Sequence, residues 1–141
     1  MLYARIDLLR TDYTPLKNWA YIKDPNIKEL NDLYRAYCRY KSFPSVMPIF
    51  ENEYTDSAND LIGYYENSTL VAFSLIRRYS NYEAECVQFA WNYNNPRSRL
   101  GITSLKNECA IYKERGFRYL YLGNADEYKS KISGFEILGP L

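Results

Sequence analysis

Between residues 61 and 122 the chain changes periodicity twice, and that change restricts what it can fold into. Residues 61–65, 70–77 and 82–91 are rich in β-branched and aromatic side chains and are separated by the polar turns Glu66-Asn67-Ser68 and Ser80-Asn81. Three strand-like runs on short connections predict an antiparallel meander. Asn94-Asn95-Pro96 then interrupts the chain. A helical period follows over about 100–115, with Ile102, Leu105, Cys109 and Tyr112 on one face, and Gly116 stands where a left-handed residue closes a helix. Residues 117–122 are short and strongly apolar, as buried parallel strands are. A meander that feeds a helix and then such a strand predicts an α/β (α+β) architecture: a mixed, mostly antiparallel sheet flanked by helices.

The flanking segments fit that plan. Leu2, Ala4, Ile6 and Leu8 alternate as one side of a strand. Residues 11–23 read as loop with room for a short strand. Asp24-Pro25 is a helix-start signal, and Ile27, Leu30, Leu33, Tyr34, Tyr37 and Cys38 recur at helical spacing up to about Arg39. Pro44 and Pro48 keep that helix from continuing, and residues 41–60 read as irregular or as one short helix. One more short helix is expected over 125–132 and a last strand over 134–138. No repeat or linker divides the 141 residues, so a single domain over 1–141 is expected, and at 47% apolar it needs no metal or disulfide to hold its core.

Charge and composition exclude several partners. Eighteen basic and 17 acidic residues give a net charge of +1, without the surplus that gripping DNA requires. There is no histidine, and Cys38, Cys86 and Cys109 are far apart, so no metal site and no histidine-dependent nucleophile is expected. Unpaired cysteines among apolar neighbours predict reduced thiols and a cytoplasmic location. No signal peptide and no membrane-spanning run is read, so no membrane partner is expected. The final strand, if it lies at a sheet edge, could pair with a second copy as a homodimer.

The sharpest motif is Pro96-Arg97-Ser98-Arg99-Leu100-Gly101-Ile102-Thr103-Ser104, set between a strand and a helix. Free amides and the dipole at a helix N-terminus favour anions. Gly101 lets a phosphate approach, Arg97 and Arg99 can add charged hydrogen bonds, and Ser98, Thr103 and Ser104 supply hydroxyls. Carboxylates able to take a proton from an amine are Glu85 on the third meander strand and, nearer the irregular segment, Glu53 and Asp60.

From residue 61 onward the chain resembles the GNAT superfamily of N-acyltransferases. Matching Gly101 to the first glycine of that family's Gln/Arg-x-x-Gly-x-Gly/Ala loop puts Ser98 and Thr103 at its other two positions, and Asn124 with Gly134-Phe135-Glu136 is similar to the family's closing segment. Tyr93, Pro96, Leu100-Gly101, residues 119–123, Tyr128-Lys129 and Phe135-Glu136 also resemble the catalytic part of the aminoacyl-tRNA–protein transferases. The resemblance implies acyl transfer from acyl-coenzyme A, acetyl-CoA first, to a small-molecule or peptide amine. It implies a cofactor-facing set of Arg97, Ser98, Arg99, Leu100, Gly101, Ile102, Thr103, Ser104, Trp91 and Asn124. It also implies Glu85 as base, Tyr128 (or Tyr121) as acid toward the leaving thiolate, and backbone amides around residues 90–92 as oxyanion donors. Two alternatives stand beside it: aminoacyl transfer from a charged tRNA, which the even charge balance disfavours, and a non-catalytic binding module on the same fold.

Overall fold

The computed structural model describes residues 2–40, 51–92, 100–124 and 127–140. At its centre lies the expected meander: β3 (Asn59–Glu66), β4 (Thr69–Arg78) and β5 (Glu83–Trp91), each antiparallel to the next. The β3–β4 hairpin closes in two residues. Glu66 pairs with Thr69, and Asn67 and Ser68 both take positive φ (50° and 66°), the turn whose twist matches that of the flanking strands.

Helix α3 (Leu100–Glu114) follows, and Gly116 ends it at φ 89°, its N–H donating to the Lys113 carbonyl while Phe117 N–H reaches Tyr112. Strand β6 (Tyr119–Asn124) then runs parallel to β5. β1 (Leu2–Asp7) lies antiparallel between β6 and β7 (Phe135–Pro140). β2 (Trp19–Tyr21), the short strand that the loop left room for, adds the opposite edge beside β3. The order is β2-β3-β4-β5-β6-β1-β7: a mixed, mostly antiparallel sheet with helices on both faces, as predicted.

One face is covered by α1 (Ile27–Tyr40) and α2 (Glu51–Thr55). Leu30, Tyr34 and Cys38 of α1, at helical spacing, bury against Leu61, Phe73, Leu75 and Ala90. The helix starts later than Asp24-Pro25 suggested, because Asn26 caps it by accepting from Glu29 N–H at 3.2 Å.

The other face packs Ala4, Ile6, Leu8, Ile62, Tyr64 and Leu120 against α3. The one-sided pattern expected of α3 is only part of its burial. Ser104, Asn107 and Glu108 are buried together with Leu105, Cys109 and Tyr112: Glu108 faces the sheet, and the chain after β1 meets the helix at Asn107. There Leu16 N–H donates to Asn107 Oδ1 at 2.7 Å, and Tyr13 and Leu16 pack on the core. Beyond β6, the 3-10 turn Glu127–Lys131 leads to β7. At that junction Asp7 N–H meets the Gly134 carbonyl at 2.9 Å. Gly134, at φ 79°, has no room for a side chain: a Cβ would lie 2.4 Å from the Asp7 carbonyl oxygen.

Candidate active site

The parallel strands β5 and β6 share only three rungs, Glu83↔Tyr119, Ala84↔Leu120 and Glu85↔Tyr121, although β5 runs on to Trp91 and β6 to Asn124. The reason lies one residue beyond the last rung. Cys86 pairs with Ile76 and Gln88 with Leu75, so Val87 is an extra residue, and such a bulge bends its strand. Past Glu85 the edge of β5 therefore has no strand partner on the β6 side among the described residues. Asn92 N–H is taken by the Val71 carbonyl at 2.8 Å. Antiparallel alternation then turns the Phe89 and Trp91 amides away from β4, toward the opening. Of the amides over 90–92 expected as oxyanion donors, Trp91 is the one so turned.

The first turn of α3 follows the end of β5. Among the described residues, a Cβ built on Gly101 meets no atom within 4 Å outside its own helix backbone and its chain neighbours. Ile102 is half-buried on the core, and Thr103 is half-buried too. Ser104 points inward: it is 2% exposed, and its hydroxyl donates to the Gly101 carbonyl at 3.1 Å. Trp91 ends β5, half-buried against the α3-side core. Arg97, Ser98 and Arg99 lie outside the described residues, as do the side chains of Leu100, Asn124 and Tyr128.

On the opposite face, at the last rung, is a cavity of about 340 Å³ lined by Tyr3, Ala4, Tyr79, Glu83, Glu85, Tyr121 and Leu138. Strand alternation sends Glu83 and Glu85 into it and Ala84 and Cys86 to the α3 side. Tyr79 donates to Glu85 Oε1 at 2.6 Å, and Tyr121 donates to Glu83 Oε2 at 2.6 Å. Each hydrogen bond to a carboxylate, with some desolvation, holds its phenol above the usual tyrosine range. Tyr121, named above as an acid, is thus engaged with Glu83. Glu85 is the residue of the expected catalytic set that the structure sets at the point where the strands part.

Two other acids named from the sequence stand elsewhere. Asp60 joins the end of α3 to β3: it binds Arg115 at 2.7 Å and accepts from Tyr112 at 2.5 Å. Glu53 belongs to α2, and its carbonyl accepts from Asn59 at 2.9 Å.

Behind β5, Glu108 is buried in the core (3% exposed). Its Oε2 accepts from Tyr64 at 2.6 Å and Ser74 at 2.8 Å, and its Oε1 from the Cys86 thiol at 3.7 Å. Desolvation pushes its carboxyl up to about 7, the three hydrogen bonds offsetting part of the rise. Burial likewise pushes the Cys86 thiol up. Sequence reading passed over Glu83 and Glu108, although both carried a signal. Glu83 sits two residues from Glu85 on the same strand face. Glu108 falls three and four residues from Leu105 and Tyr112, on the helix's apolar side.

The strand order, the parted parallel strands and the helix that opens after them define the GNAT N-acyltransferase fold. A putative GNAT-family acetyltransferase of Novosphingobium aromaticivorans superposes with a TM-score of 0.65 at 15% identity, over 96% of this chain and 58% of its own. The C-terminal domain of a putative lysylphosphatidylglycerol synthetase from Agrobacterium fabrum matches with a TM-score of 0.64 at 14% identity, over 88% and 46%. Saccharomyces cerevisiae N-myristoyltransferase, with bound myristoyl-CoA, matches with a TM-score of 0.57 at 13% identity, over 89% and 39%. The chain thus spans about half the length of these proteins. No family model and no curated sequence matches it. Among the described residues, no helix is long and apolar enough to cross a membrane.

Proposed function

We propose that the chain is an N-acyltransferase that moves an acyl group from an acyl-CoA, acetyl-CoA first, to a primary amine. The observation that carries this reading is Glu85: it occupies the last shared rung of β5 and β6 and lines the cavity there. The donor's pantetheine arm would lie in the opening beyond that rung, with its diphosphate at the first turn of α3, where Gly101 brings no side chain. The acceptor would enter from the cavity side.

In this mechanism Glu85, directly or through a water, takes a proton from the ammonium form of the acceptor. The free amine attacks the thioester carbonyl, whose oxygen turns to the Trp91 amide. The C–N bond forms, the C–S bond breaks, and the departing thiolate receives the second nitrogen proton. Glu85 returns its proton to solvent.

Two measurements test this. Acetyl-CoA at about a hundred times its dissociation constant should stabilise the protein by about 2.7 kcal/mol. Glu85→Gln should lower kcat for acyl transfer by about 10²- to 10⁴-fold while leaving that thermal stabilisation in place. No stabilisation at millimolar acetyl-CoA, or a Gln variant as active as the wild type, would overturn the reading.

A further inference from the structure

Three acids outside the cavity each have a cationic partner. Asp7 meets Arg118 at 2.8 Å, Asp60 meets Arg115 at 2.7 Å, and Glu136 meets Arg5 at 2.8 Å. Glu83 and Glu85 do not: among the described residues neither has an ion pair, and each receives a neutral phenol instead. Arg77 lies across from Glu85 in the strand register, but its Nε is turned to Asn59 Oδ1 at 3.2 Å. Arg5 is held by Glu136, stacks on the Tyr119 ring at 3.9 Å and donates to the Tyr121 hydroxyl, without an ion pair to either cavity glutamate. A tyrosine hydroxyl satisfies one carboxylate oxygen but brings no charge of its own. Two such charges in a cavity walled by tyrosine rings and Leu138 favour a cation whose body is apolar.

Their spacing narrows the class. Glu83 and Glu85 are alternate residues on one strand face, so their backbone positions stand about 7 Å apart. Resting on the acyl-transfer reading above, we propose that the acceptor is a dication: one ammonium meets Glu85 and reacts, while a second, about 7 Å away, is held by Glu83. Aliphatic diamines with about four or five methylenes meet that requirement, and so does a sugar carrying two amino groups at that separation.

The experiment measures acetyl transfer from acetyl-CoA to a series of α,ω-diamines, to n-alkylamines of matching length, and to a diamino sugar. The expected result is a kcat/KM for the best diamine about 10- to 100-fold above its monoamine, with an optimum in chain length. Glu83→Gln, checked for folding by its melting curve, should reduce that ratio to near one and act mainly through KM. Preference for the sugar over every diamine would retain the dication and identify its source. Equal use of monoamines and diamines, or a ratio that Glu83→Gln leaves intact, would overturn the proposal while the acyl-transfer reading stood. Transfer to none of these amines, with no stabilisation by acetyl-CoA, would remove both. Diamine-induced thermal stabilisation of the wild type, lost in Glu83→Gln, supplies a readout independent of turnover.

Discussion

Replacing Glu108 with Gln tests the buried network by its pH dependence. An unfolded glutamate ionises near its ordinary value of 4.5, whereas in the folded chain burial pushes Glu108 up to about 7. Below about 4.5 the carboxyl is protonated in both states, and the native state loses nothing. Between 4.5 and 7 the unfolded chain ionises first, so it binds fewer protons than the native state, and stability falls as pH rises. Above 7 both states are ionised and the loss is complete. At about 1.4 kcal/mol per pH unit the difference amounts to about 3 kcal/mol. Glutamine reproduces the protonated acid: its oxygen can accept from Tyr64 and Ser74, and its amide can face the Cys86 sulfur. The variant should therefore match the wild type near pH 5 and exceed it by about 3 kcal/mol at pH 8, roughly 10 °C in Tm. Urea unfolding across that range, with the wild-type curve subtracted from the variant's, isolates the one group. Asp7, held below its ordinary value of 3.8 by Arg118, acts only below the window and cancels in the difference. A flat difference curve, or one rising toward acid, would refute the argument.

Two backbone sites give further expectations. Gly134→Ala must place a Cβ 2.4 Å from the Asp7 carbonyl at φ 79°, so it should lose at least about 2 kcal/mol and weaken the β1–β7 junction, measurable by denaturant unfolding. Ser68→Gly should gain about 0.5–1 kcal/mol, because an exposed serine at φ 66° gives way to a residue without a Cβ, and a lower midpoint would contradict it.

The fold was largely legible because its central strands and α3 carry their own periods. Polar turns at Asn67-Ser68 and Ser80-Asn81 gave the meander, and Gly116 gave the end of α3. Order across the sheet was less legible, since no local pattern states that β1 lies between β6 and β7. The start of α1 was misplaced because Asp24 and Asn26 are both capping residues, and only tertiary packing selects between them. In the site, Glu85 was named from its place on the third meander strand. The cavity around it was not, because Tyr3, Tyr79, Tyr121 and Leu138 come from four different segments of the chain. Glu108 was hidden for a related reason: a glutamate in a helix reads as solvated until Tyr64, Ser74 and Cys86, from three different strands, are known to meet it.

The burial of Glu108 has a geometric consequence for the site in front of it. Apolar packing is non-directional, and alone it would leave α3 free to slide along the sheet. A single carboxyl that accepts from Tyr64 on β3, Ser74 on β4 and Cys86 on β5 ties the helix to three strands by directional contacts. Cys86 immediately follows Glu85 and precedes the bulged Val87. The contact behind β5 therefore falls where β5 leaves β6 and where its other face turns Glu85 into the cavity. A shift of α3 would move Glu85, the proposed base, and the first turn of the helix relative to each other. On this view the chain keeps a carboxyl that weakens it above neutral pH because the same group holds α3 and the three central strands in register.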